Sequence, residues 1–127
     1  VLALFEEPAN RIISSRLAVL EIDSAFARLV REGVTTKADF EELTATLGKD
    51  IGEGRIQILA VSAVTFATAS TIIRSIGLEQ SLRSLDALHA ATAQKVHQRS
   101  KLAAFVVADK RLLSSAEACG LPVLDVS

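Results

Sequence analysis

The stretch Leu102–Leu113, LAAFVVADKRLL, changes character halfway along. From Leu102 to Ala108 it is apolar without a break, and Asp109, Lys110 and Arg111 follow at once. A short continuous apolar run fits a strand covered on both faces of a parallel sheet. Two roles suit the aspartate that ends it. It caps the helix expected over Lys110–Ala118, or it faces a metal ion and a phosphate beyond the strand's carboxyl end.

Working outward, the same alternation repeats. Val1–Phe5 read as the tail of a helix that stops near Pro8, and RIISS (Arg11–Ser15) as a strand. From Leu17, a helical stripe runs through Val19, Ile22, Phe26 and Leu29 and ends before Gly33. Thr36 caps a second helix with Phe40, Leu43 and Leu47 on its apolar face, closed by Gly48, Gly52 and Gly54. RIQILAV (Arg55–Val61) is the next strand, and Ser62 caps a helix carrying Phe66, Ala69, Ile73 and Ile76 up to Gly77. A helix over Leu85–Gln98 precedes the Leu102 strand, and PVLDV (Pro122–Val126) is the last strand. Strands alternating with helices predict an α/β fold, a parallel sheet with helices on both faces, in one domain over residues 1–127.

Composition narrows the function classes. Half of the 127 residues are hydrophobic, yet only five are aromatic, all Phe, so Ala, Leu, Ile and Val must build the core. With 14 basic against 15 acidic residues there is no general field to draw in nucleic acid or a membrane. Cys119 stands alone, which excludes an internal disulfide and suits a reducing compartment; its expected role is a small buried hydrophobe. The uncharged run Ile56–Ile73 holds Gln57, Ser62, Thr65, Thr68, Ser70 and Thr71, too polar a set for lipid, so no membrane partner is expected. The chain has no methionine, and VLALFEEP opens inside an apolar segment without a cap, so a preceding segment is expected.

Three acids invite a chemical reading. At about 100° per residue, Glu21 falls beside its helix's apolar stripe, flanked by Ala18 and Ala25, where it can reach into a cleft or pair as a boundary residue with Arg28. Asp86, in LRSLDALHAATA, suits a helix start, yet Leu85 and Leu88 bracket it. Asp109 ends the apolar strand. Together they form a set of oxygen ligands that suits Mg²⁺ or Mn²⁺ rather than zinc. Such ions polarise a phosphate and activate water, so no nucleophilic Ser or Cys is needed. Lys110 and Arg111 are candidates to steady a phosphate backbone. His89 reads as a core-edge histidine and His97 as solvated.

SLRSLDALHAATA followed by FVVADKRLLSSAEACGLPVLDVS resembles the C-terminal half of a PIN-domain ribonuclease, especially the VapC-like toxins of type II toxin–antitoxin systems. VLALFEEPA and SSRLAVLEIDSAFARL are similar to the earlier parts in the expected order, so the likeness covers nearly the whole chain. It implies a small three-layer α/β/α sandwich. It also implies a cytoplasmic hydrolase that cleaves RNA with Mg²⁺ or Mn²⁺, pairs as a homodimer and is restrained by a small antitoxin. On this resemblance Glu21, Asp86 and Asp109 match the second, third and fourth positions of the catalytic, metal-binding acidic cluster, and Asp23 is left as a surface acid. The chain departs from the family in its first strand, which normally ends in an aspartate before the helix that VLALFEEP resembles. That strand and its acid are missing here, as in a truncated enzyme or a decayed copy, and the unusual start favours truncation.

Two other classes compete. A catalytically incomplete module that binds an antitoxin or dimerises fits the missing acid. A phosphoacceptor signalling domain also gathers acids around Mg²⁺, but it needs an acceptor aspartate after an inner strand and a lysine after the last one. Here RIQILAV runs into Ser62, and PVLDVS ends without lysine.

Overall fold

The computed structural model describes residues Val1–Ser127, which divide into two units, Val1–Ala60 and Val61–Ser127. In the first, a short helix α1 (Leu2–Glu6) precedes strand β1 (Ile12–Ser15), which passes directly into α2 (Arg16–Arg31). Ser15 makes that junction: its extended backbone ends the strand, and its hydroxyl accepts from the Ala18 amide to cap the helix. The next helix, α3 (Lys37–Gly52), starts with a full capping box between Thr36 and Asp39 and runs through Gly48 rather than ending there. Strand β2 (Ile56–Leu59) then returns parallel to β1, with Ile12 opposite Ile56 and Ser15 opposite Leu59. Phe26 on α2 and Phe40 on α3 stack at 6.1 Å, tying the two helices together. No apolar side chain in this unit is fully buried; Ser15 is its one buried residue.

The second unit carries the core. Helices α4 (Ala63–Ser75) and α5 (Ser84–Ser100) lie against each other, followed by β3 (Phe105–Val107), α6 (Lys110–Ala118) and β4 (Val123–Asp125). β3 and β4 pair in parallel through the α6 crossover, with Val107 opposite Asp125. The expected mixture of helices with parallel strands is present, but the strands form two separate two-stranded sheets.

Alanine sets the packing. Ala87, Ala90, Ala91 and Ala93 of α5 are buried, as are Ala69 and Ile72 of α4 and Ala116 of α6. Side chains this short let helix backbones approach closely, and that choice decides which stripe of α4 turns inward. The sequence predicts Phe66, Ala69, Ile73 and Ile76 inside; instead Thr65, Ala69 and Ile72 are buried and Phe66 is 56% exposed. Both lines have helical spacing, and only the one with small residues at its start fits beside an alanine face. Gly77 closes the helix region where a Cβ would lie 2.5 Å from the Ile73 carbonyl oxygen.

The strand expected over Leu102–Ala108 is corrected in two respects. Its ladder shrinks to Phe105–Val107, because the Leu102 amide is taken by His97 Nδ1 at 3.0 Å, and this bond steadies the turn at Lys101, whose φ of 29° is unusual for a residue with a side chain. His97 is therefore a half-buried structural acceptor, not a solvated residue. Nor is β3 covered on both faces. Phe105 and Val123 pack against Ala93, Ala116 and Leu121, while Val106 and Leu124, paired on the other face, are 42% and 40% exposed. Cys119 sits half-buried at the edge of that cluster, and burial pushes its thiol pKa up, in keeping with a packing role.

Because Ala90 is fully buried in this packing, Ala90→Leu is expected to destabilise the protein by about 1–3 kcal/mol through overpacking. Denaturant unfolding measures this; an unchanged midpoint would contradict the close approach of the helices.

Candidate functional site

Two of the three acids come together through a residue that was not among the candidates drawn from the sequence. Arg83 is the N-cap residue of α5, and its side chain offers no acceptor to close the helix start. Asp86, one turn in, reaches back instead: its Oδ2 accepts from the Arg83 backbone N–H and from Arg83 Nε, each at 3.2 Å. The same guanidinium extends Nη2 to Asp109 Oδ2 at 3.4 Å. One arginine thus spans the carboxylates at the starts of α5 and α6. Asp86 is nearly enclosed, with its side chain 9% exposed, whereas that of Arg83 is 62% exposed.

Asp109 divides its oxygens between two tasks. Oδ1 accepts from the Arg111 amide at 2.8 Å and the Leu112 amide at 3.4 Å, which caps α6. Oδ2 is turned to Arg83. The bonds from the Arg111 and Leu112 amides hold the Asp109 carboxyl below the usual carboxylate range; desolvation opposes them, and the charges of Arg83 and Arg111 add smaller contributions in the lowering direction. Both acids also stand where the positive end of a helix dipole favours negative charge.

A fourth acid lies at the end of the neighbouring strand. Asp125 on β4 accepts from the Ser127 amide at 2.9 Å. That bond, then the Ser127 hydroxyl and the charge of Lys110, lower its pKa. Lys110 and Arg111 are both exposed at the start of α6, so their cations face solvent beside these acids. His89 is half-buried on α5, in keeping with a core-edge residue.

Glu21 lies on α2 in the first unit and is half-buried, as is Asp23, which lines a shallow surface groove with Ala27, Phe40 and Thr44. No group of three His, Cys, Asp or Glu side chains able to hold a metal ion forms in the structure. Two carboxylate oxygens, Asp86 Oδ2 and Asp109 Oδ2, converge instead on a single positive charge, the Arg83 guanidinium; oxygen donors are the type that hard ions such as Mg²⁺ or Mn²⁺ take. Arg83 was detectable in principle, as a cation three residues before a helix-start acid, but its reach to Asp109 was not.

The capping and charge roles of Asp109 can be separated by substitution. Asp109→Asn keeps a capping oxygen and is expected to lower Tm less than Asp109→Ala. The folded pKa of Asp109 is depressed, so the stability it contributes is complete above the unfolded value of about 3.9 and is lost as pH falls through the folded value. Thermal unfolding from pH 7 to 2 should therefore show a shallower acid limb in Asp109→Asn than in wild type.

No helix is long and apolar enough to cross a membrane. No protein-family model matches this sequence, and no curated protein or solved structure matches it.

Proposed function

We propose that this protein is a metal-dependent endoribonuclease of the PIN type, acting as the toxin of a toxin–antitoxin pair. The observation that carries the reading is the pairing of Asp86 and Asp109 across one guanidinium, at the carboxyl end of a parallel strand. These are the acids that the LDALHAA and VVADKRL segments supply in the resemblance. Glu21 enters on the resemblance alone. The three-layer sandwich, the homodimer and the antitoxin rest on the same likeness.

In this mechanism Asp86 and Asp109 would be the residues that hold Mg²⁺ or Mn²⁺. The chemistry such an ion would supply when bound is Lewis-acid assistance to hydrolysis of a phosphodiester. Asp109 can serve while still capping α6, because its other oxygen keeps the Arg111 and Leu112 amides. Lys110 and Arg111, exposed beside the acids, are suited to a phosphate backbone by sign and reach.

The expected outcome is RNA cleavage that requires Mn²⁺ or Mg²⁺, stops with EDTA and falls more than roughly 100-fold in Asp86→Asn. Cleavage that ignores both EDTA and that substitution would sink the reading. A second reading, a non-catalytic module that binds a small partner or a second copy, is favoured by the exposed Val106–Leu124 pair on the β3–β4 sheet. It predicts no cleavage under any metal and a stable complex in light scattering.

A further inference from the structure

Helices α2 and α3 leave a shallow groove between them, lined by Asp23, Ala27, Phe40, Glu41, Thr44 and Ala45. Its surface is mostly apolar, and the small side chains at 27, 44 and 45 keep it open. Gly48, one turn beyond Thr44 on α3, has nothing within 4 Å of the point where a side chain would begin. On α2, Leu20 stands one turn before Asp23 and is 65% exposed, so apolar surface continues past the acid. A trough between two helices, with small residues along one wall, accepts a third helix whose side chains seat between those already there.

Charge says which kind of helix. Residues 1–60 carry more acids than cations. Arg28, Lys37, Lys49 and Arg55 are engaged by other acids of the unit, Lys37 by Glu41 at 3.5 Å. Asp23 is half-buried in the groove and has neither an ion pair nor a hydrogen bond within the chain. An arginine or lysine is the side chain suited to it, because the aliphatic stem lies along apolar neighbours while the head meets the carboxylate. One acid on each wall repels a nucleic acid or an anionic membrane and attracts a cationic protein segment.

We propose that this groove docks a basic amphipathic helix of a partner protein, which seats apolar side chains against Ala27, Phe40 and Ala45 and sets an arginine or lysine against Asp23. The site lies wholly in the first unit and does not depend on whether the chain cleaves RNA.

The test titrates the ¹⁵N-labelled full chain with a synthetic amphipathic helix of about 18 residues, built of Leu, Ala and Arg, and with the same peptide carrying Glu in place of Arg. The arginine peptide should shift the amides of Asp23, Ala27, Thr44 and Ala45, bind less tightly as salt rises, and lose about tenfold in affinity to Asp23→Asn. The glutamate peptide should not bind. No shift with the arginine peptide, shifts confined to other residues, equal binding by the glutamate peptide, or unchanged affinity in Asp23→Asn each overturns the proposal. So does a concentration-dependent dimer in light scattering that Ala45→Arg dissolves, since the occupant is then a second copy of this chain. Should Asp23→Asn fail to fold, Ala45→Arg decides: position 45 is exposed, and a long cation there should abolish binding of the arginine peptide. Binding that survives Ala45→Arg overturns the proposal as well.

Discussion

Close approach of α5 to its neighbours is the constraint on which the second unit depends. Its buried residues are mostly alanines, and alanine loses no side-chain entropy on packing while bringing helix axes near. That proximity decides that Thr65, Ala69 and Ile72 line α4's inner face and that Phe66 stays outside. It also means that little in this core can change in volume without moving a backbone.

The same helix delivers the chemistry. Asp86 is buried at the start of α5, on the turn where the alanine face begins, so its carboxylate is carried by the most closely packed element of the unit. Asp109 stands at the start of α6, directly after β3. A buried acid needs a partner, because its charged form is costly away from water. Arg83 supplies that partner and reaches the second acid as well. The ordinary requirement to satisfy a buried carboxylate thus produces a pair of acids arranged around one cation.

The first unit is built on different terms. Capping at Ser15 and Thr36, one aromatic stack and a parallel pair of short strands define it, with no fully buried apolar side chain. Its ion pairs, such as Arg28–Glu32 and Lys37–Glu41, are exposed and contribute little each. Local signals therefore carry more of its definition than burial does.

Much of this was legible in the residues. Caps at Thr36, Ser62 and Asp109, the helix faces of α2 and α3, and the parallel strand type follow from neighbours three or four positions apart and from alternation along the chain. Such interactions are local, so the amino-acid order is enough to state them. The length of β3 was not legible, because a histidine five residues upstream takes the Leu102 amide. Nor was the exposure of Val106, which depends on what lies across the sheet. Above all, the bond from Arg83 to Asp109 spans 26 positions. Composition and spacing placed an acid at a helix start twice over. Only the folding of α5 and α6 onto one another decided which oxygen of each acid meets the same guanidinium, since that depends on distances through space that the order of residues does not contain.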